Sequence, residues 1–358
     1  MKIIHCADIH FGSKMEARLP KEKSDERKSE LRSAFSKMLD FAVKEGVSVV
    51  LLVGDVFDSD RSFKKDREFF YGAVRAHSEI DFLYLRGNHD EKERYAEDDL
   101  PNLKTFGGEW TTYSYGTVDI HGAEISSNNS LALYSSLKAA ADRKNIVMLH
   151  GAAGESTGKD KVNLTKLRGK NIDYLALGHI HSRSDGKVDD RGRYAFSGCL
   201  EGRGFDEIGE KGFLLLTVDE RSQSGGIESE FIPNSVRRIE EFTVDISNAD
   251  GVYAAYQTVK TAISTDKKDL CRVILKGEID FDNDTLATDL EKMLSREYYF
   301  VSVKDETARK FDLDEIAGDL SLRGEFLRGV LSDETLSEDE KQKILSIGLK
   351  ALSGREVD

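Results

Sequence analysis

The chain has 358 residues, 39% hydrophobic and 33% charged, which is the mix of a soluble globular protein long enough for two domains. Its formal net charge of −14 excludes a protein that holds nucleic acid through its global field, though not one with a local cationic site. The longest apolar run, Val47 to Val53, is too short to span a bilayer, so no membrane association is expected.

Ile3 to Ala7 reads as a buried strand rather than a signal peptide, and it ends in Asp8-Ile9-His10. Arg27 to Glu45 carries Leu31, Phe35, Met38, Leu39 and Ala42 at helical spacing, and Gly46 supplies the stop. Val47 to Val53 is a continuous apolar strand, a pattern of burial on both faces, ending in Gly54-Asp55-Val56-Phe57-Asp58. A helix over about Lys65 to His77 leads to a strand from Phe82 to Arg86, then Gly87-Asn88-His89-Asp90. This alternation predicts a mainly parallel sheet with crossover helices. Further strands, Ile146 to Leu149 and Tyr174 to Leu177, end at His150 and at Gly178-His179-Ile180-His181. Tyr194 to Ser197 and Phe213 to Val218 follow. The shorter strands of this stretch predict a second, more antiparallel sheet, packed face to face with the first and with helices outside.

Pro233-Asn234 marks a boundary, which puts the first domain at residues 1–232. Residues 233–310 read as a small α/β unit: strand, helix, strand, helix, strand. Residues 311–358 read as a helical, acidic tail, in which Ser337-Glu338-Asp339-Glu340 is a capping box and Gly354 a stop signal. Cys6, Cys199 and Cys271 are widely spaced, form no zinc signature and suit a reducing compartment, so the cytoplasm is the expected location.

Seven metal-ligand-type residues fall in five loops that each follow a strand: Asp8, His10, Asp55, Asn88, His150, His179 and His181. Asp8 with His10, and His179 with His181, are two apart on extended chain, so each pair shares a face. Mixed nitrogen and oxygen donors suit manganese, iron or zinc better than magnesium or calcium. Asp55, with two oxygens after the most apolar strand, is the natural bridge between two ions. Two divalent ions less two aspartates leave a residual charge of about +2, so an acidic protein can present a cationic site to a phosphodiester. His89 can act as general acid, with Asp58 orienting its imidazole. His5, His77 and His121 lack this context and read as structural. Gly154 to Lys159 imitates a phosphate-binding loop but lacks its first glycine, replaced by Ala153, and has Asp160 where Ser or Thr is required.

The order Asp8-x-His10, Gly54-Asp55-x-x-Asp58, Gly87-Asn88-His89-Asp90, His150-Gly151, Gly178-His179-x-His181 resembles the calcineurin-like metallophosphoesterases over about residues 1–220. The resemblance implies a two-sheet α/β/β/α sandwich. It places one ion on Asp8, His10, Asp55 and His181, and a second on Asp55, Asn88, His150 and His179. It makes His89 the acid and Asp58 its orienter; the family's archaeal and eukaryotic repair nucleases tend to carry His at the Asp58 position. More loosely, Ser197 to Arg203 and Glu207 to Phe213 resemble SbcD-type and YhaO-like DNA repair exonucleases. That likeness implies a small α/β capping domain, C-terminal helices that dock on an SbcC-like coiled-coil ATPase, a homodimer, and a manganese-dependent nuclease acting on DNA in double-strand-break repair. A phosphatase or a cyclic-nucleotide phosphodiesterase would use the same chemistry, and a non-catalytic docking subunit is a third reading that the complete ligand set opposes. Lys14, Arg18, Lys21 and Lys23, interleaved with Glu16 and Glu22, are candidate phosphate contacts, as are Arg203 and Lys211.

Overall fold

The computed structural model describes residues 1–15, 19–58, 64–92, 100–220, 226–281, 284–310 and 319–352; Glu16, Arg18, Gly354 and the start of the acidic tail lie outside them. The chain divides into two compact units, residues 1–239 and 240–358. Residues 234–239 stay with the first unit because its long helix holds them. Asn234 Nδ2 donates to Ala34 O (2.8 Å), and Arg237 pairs with Glu26 and Glu30.

The first unit begins β1 (Lys2–Cys6), α1 (Lys21–Glu45), β2 (Val49–Val53), α2 (Lys64–Ala76), β3 (Asp81–Leu85) and β4 (Leu103–Thr105), with β1 to β4 parallel. α1 starts at Lys21 rather than Arg27. Residues 21–26 carry no apolar stripe to announce a helix, and Pro20 stands just before it, where a missing N–H does no harm. At the other end Gly46 takes the left-handed conformation (φ 66°), and Val47 N donates to Ala42 O at 2.8 Å. Leu31, Phe35, Met38 and Leu39 of α1 are buried, each contributing on the order of 1.5–3 kcal/mol. β2 is buried at every residue because its two faces meet different layers. Val50 and Leu52 pack with α1 and α2, while Val49, Leu51 and Val53 pack against the second sheet.

Next come β5 (Thr111–Tyr115), β6 (Val118–Gly122), α3 (Ala132–Ser136), β7 (Lys144–His150), β8 (Ala152–Gly154), β9 (Lys161–Asn163), α4 (Leu164–Leu167), β10 (Tyr174–Gly178), β11 (Ser184–Lys187) and β12 (Arg193–Phe196). The second sheet has the order β11-β12-β10-β7-β6-β5. β13 (Gly212–Val218) joins the first sheet antiparallel to β1, and β14 (Ile227–Pro233) pairs antiparallel with β13, giving β14-β13-β1-β2-β3-β4. The expectation of a more antiparallel second sheet is corrected: β6, β7, β10 and β12 run parallel, and only the edge strands β5 and β11 are antiparallel. The crossover helices α3 and α4 have five and four residues, too few to show a helical period. Helices, two sheets and helices thus stack as an α/β/β/α sandwich. Parallel strands share an end, so β1, β2 and β3, and β7 and β10, release their loops together.

The second unit holds β15 (Ile239–Asp245) from its second residue on, then α5 (Val252–Ala262), β16 (Leu270–Lys276), β17 (Glu278–Ile279), α6 (Leu286–Leu294), β18 (Phe300–Asp305) and β19 (Ala308–Arg309). Its main sheet runs β15-β16-β18, and Val259, Leu275, Leu290 and Leu294 form part of the core. Two more helices, Leu322–Leu331 and Glu338–Leu352, pack on each other through Leu327 and Leu345. The expected capping box is formed: Ser337 N donates to Glu340 Oε2 (2.9 Å), and Glu340 N to Ser337 Oγ (3.4 Å). Leu320, Leu322, Ile347 and Leu352 remain exposed. Among the described residues no helix is long and apolar enough to cross a membrane.

Candidate metal centre

Four of the seven non-glycine residues with positive φ, among the described residues, are Asp8 (51°), His10 (53°), Asp55 (53°) and His179 (98°). L-residues rarely adopt this conformation, and such strain concentrates at functional sites. Here it turns the chain within a few residues of the ends of β1, β2 and β10. Backbone bonds then tie the loops together. Asp8 N donates to Gly54 O (3.1 Å) and His10 N to Asp55 O (2.9 Å). The carboxylates add cross-links: Asp8 Oδ1 accepts from His179 N, and Asp55 Oδ1 from His89 N, each at 2.9 Å.

All seven sequence-predicted ligands come together. Donor atoms of Asp8, His10 and His181 lie within 4.8 Å of one another, as do those of Asp55, His150 and His179. Asn88 Oδ1 is 3.1 Å from His150 Nε2 and 3.0 Å from His179 Nδ1. Asp55 Oδ2 joins the two groups, 3.3 Å from His150 Nε2 and 3.8 Å from His10 Nε2.

The donor set fits divalent cations. His150 Nδ1 donates to Val53 O (2.9 Å), which leaves Nε2 as a lone pair facing two acceptor oxygens, of Asn88 and Asp55. His10 and His181 point Nε2 at Nε2 across 3.2 Å, and behind His10 the Asp58 Oδ1 stands 3.4 Å from its buried Nδ1. Converging lone pairs repel unless a proton or a cation sits among them. The titration shifts reflect the same demand. Burial pushes the Asp8 carboxyl up to about 6, with His150 opposing and Asp55 adding. Burial also opposes charge on Asp55, yet His150 and His10 hold its carboxyl well below the usual range. His150 is raised to about 9 despite its burial, through the charge and hydrogen bond of Asp55. The metal-free chain therefore draws a proton to where a cation would serve.

His89 belongs to neither of these two groups, although its ring lies against His10, with ring centroids 4.8 Å apart. Its side chain is 42% exposed, and its Nδ1 lies 2.9 Å from Asp58 Oδ1. That bond raises the imidazole above its ordinary value, against partial burial.

The profile of the calcineurin-like phosphoesterases matches residues 1–183, just over half the chain. The chain belongs to the calcineurin-like phosphoesterase family. The phosphoesterase is thus a metal-dependent hydrolase of a family that uses two divalent ions. It is 23% identical over 396 residues to the DNA double-strand break repair protein Mre11 of Sulfolobus acidocaldarius, covering 99% of this chain and 100% of that protein. It is 27% identical over 315 residues to the uncharacterised metallophosphoesterase YhaO of Bacillus subtilis, covering 77% of this chain and 72% of that one. A stretch of 98 residues is 29% identical to a subunit of the SbcCD nuclease of Rhodobacter capsulatus, covering 26% of this chain and 22% of that one.

Several residues of the phosphoesterase site escaped the sequence reading. Buried Asp90 accepts from Tyr84 Oη (2.6 Å), Gly87 N (2.6 Å) and Val56 N (2.9 Å), locking the Asp55 loop to the Asn88 loop. Glu207, from a loop outside the five, reaches His181. Arg203 and Lys211, read as phosphate contacts, are instead engaged inside: Arg203 pairs with Glu207, and Lys211 Nζ donates to His181 O (3.2 Å). Lys21 and Lys23 belong to the first turn of α1, and Lys14 is exposed. His5, His77 and His121 bond to other partners, His5 to Tyr174 Oη and Leu177 O. Gly154 to Lys159 runs between β8 and β9, with no helix opening directly after the lysine.

Gly54, Gly87 and Gly178 precede Asp55, Asn88 and His179, and all three make room for the His150 ring. A Cβ at Gly54 would stand 2.0 Å from His150 Nδ1, and one at Gly87 would stand 2.2 Å from Asp55 Oδ1. At Gly178 it would stand 1.9 Å from Val53 O, which is backbone and has no rotamer to yield. Gly178→Ala is therefore expected to destabilise the first unit by about 3 kcal/mol, the upper end for overpacking. Urea unfolding should show a lower midpoint at unchanged slope; an unchanged midpoint would disprove the close approach.

Proposed function

We propose that this phosphoesterase is a manganese-dependent DNA exo/endonuclease that works in double-strand-break repair beside an SbcC-like coiled-coil ATPase. The observation that carries the substrate is the span of the likeness to the break-repair protein: it runs through both units, not the phosphoesterase part alone. The partner reading draws on the match to a nuclease subunit and on the exposed leucines and isoleucine of the two C-terminal helices.

Asp8, His10, Asp55 and His181 would hold one ion, and Asp55, Asn88, His150 and His179 the other. Two divalent cations bound there would supply an activated water and charge stabilisation for an in-line displacement at phosphorus. The protein's own part is to present these donors already ordered, through the backbone ties of Asp8 and Asp55. His89, kept protonated by Asp58, gives its proton to the departing alkoxide.

The test is turnover by the purified full chain with manganese on linear single- and double-stranded DNA, alone and with an SbcC-like partner. A cyclic nucleotide serves as the competing substrate. Cleavage of DNA is the expected result. Intact DNA in every arm, with rapid cyclic-nucleotide hydrolysis, would overturn the DNA reading and leave a small-molecule phosphodiesterase.

A further inference from the structure

His181 sits between two side chains that ask opposite things of it. Glu207 Oε1 is 2.7 Å from its Nδ1, and Arg203 Nη2 is 3.0 Å from the same nitrogen. A guanidinium can only donate, and an ionised carboxylate can only accept. If Nδ1 is bare, Arg203 donates to it and Nε2 carries the proton, which blocks the face turned toward His10. If Nδ1 carries the proton, it donates to Glu207 and Nε2 offers its lone pair.

The surroundings decide between the two. Arg203 is anchored on Glu207 by two of its five donors: Nη2 donates to Oε1 at 2.6 Å, and Nε to Oε1 at 3.0 Å. Glu207 Oε2 accepts from Arg203 N at 2.7 Å, with the Cys199 thiol at 3.7 Å. Glu207 is 2% exposed, so water cannot substitute at Oε1. A bare Nδ1 would then press a lone pair against a buried carboxylate oxygen at 2.7 Å.

We propose that Glu207 is a positioning residue for the metal centre: it holds His181 as the Nδ1–H tautomer, so that Nε2 is a ready ligand on the Asp8–His10–His181 side. Arg203 is its counter-charge: it fixes the carboxylate, and its Nη2, 3.0 Å from His181 Nδ1, has no lone pair to donate to once that nitrogen carries the proton. The effect is one-sided. His150 is oriented by a neutral carbonyl, Val53 O, and none of the contacts of Glu207 reaches Asp55, His150 or His179. A carboxylate behind a ligating histidine makes the imidazole more basic and typically changes metal affinity about 10–100-fold. The 199–207 segment therefore tunes one ion and not the other. This inference rests on the two-ion reading above.

The experiment has two parts. Nitrogen-15 NMR of the metal-free full chain, with His181 assigned by its loss in His181→Asn, should report the Nδ1–H tautomer; an Nε2–H tautomer would overturn the proposal without recourse to a variant. Calorimetric titration with manganese alone should show two ions on the parent chain. Glu207→Gln should weaken one of them roughly 10–100-fold and leave the other unchanged. Because that variant strands Arg203, the pair Arg203→Met with Glu207→Leu, which removes both charges, is run beside it and should show the same one-ion loss. A parent that binds no ion would sink the two-ion reading. A parent with two ions whose variants lose both alike, or neither, would sink the role of Glu207.

Discussion

Asp55→Asn is expected to strip the phosphoesterase of at least one ion and to lower phosphodiester turnover by roughly 10³-fold, since losing ion clamping removes several kcal/mol of transition-state stabilisation and about 1.4 kcal/mol is a factor of ten. The substitution is isosteric, so shape is not the cause. Asp55 Oδ1 is committed to His89 N, and an amide oxygen can keep that bond. Oδ2 faces both halves of the centre, and in Asn this position becomes an NH2 whose hydrogens point at the lone pairs of His150 and His10. One of two aspartate charges is lost and a repelling donor group takes its place. The metal-free fold should also lose some stability, because burial of Asp55 is outweighed by His150 and His10, which favour its charged form. Elemental analysis after dialysis against manganese, beside urea unfolding of the metal-free chain, separates the two effects. An Asn variant that retained two ions and activity within about tenfold of the parent would remove Asp55 from the bridging position.

What could be read from residues alone follows from distance along the chain. A strand, its closing glycine and the ligand after it occupy a short stretch of sequence, so the five loops were legible wherever the strand was apolar. The parallel run of β1 to β3 was legible too, because α1 and α2 are long enough to show a stripe. The second sheet was misread because α3 and α4 are not. β5 was hidden by composition: Thr111 to Tyr115 has no apolar residue beyond its two tyrosines, and it is only half buried. The glycines were legible as turn formers, but what each most closely approaches, His150 at Gly54, Asp55 at Gly87 and Val53 O at Gly178, lies dozens of residues away in sequence. Glu207 is harder still. It opens the segment likened to the repair exonucleases, but nothing in that segment gives it a role, which comes from a loop that returns to His181 after β12. Arg203 and Lys211 misled for the same reason: charge alone cannot say whether a cation faces solvent or a buried carboxylate.

His89→Ala should behave in the opposite way to Asp55→Asn: both ions retained, and kcat on DNA lowered by about 10²–10⁴-fold, the range for losing a positioned general acid. The geometry makes this a discriminating test, because His10, Asp58 and His89 also have ligand-type atoms within 4.8 Å of one another. If His89 were a ligand, its removal would lower ion content as well as rate. As an acid it has a different signature, set by the leaving group. An alkoxide departing from DNA needs a proton, whereas a nitrophenolate departs without one. The variant should therefore approach parental turnover on a nitrophenyl phosphodiester while remaining impaired on DNA. Asp58→Asn should fall between, since the amide can still hold the ring but no longer favours its protonated form. It should lower DNA turnover by roughly tenfold, below the full loss of the acid. Equal losses on both substrates would assign His89 to binding or structure, and the proton would have to come from solvent.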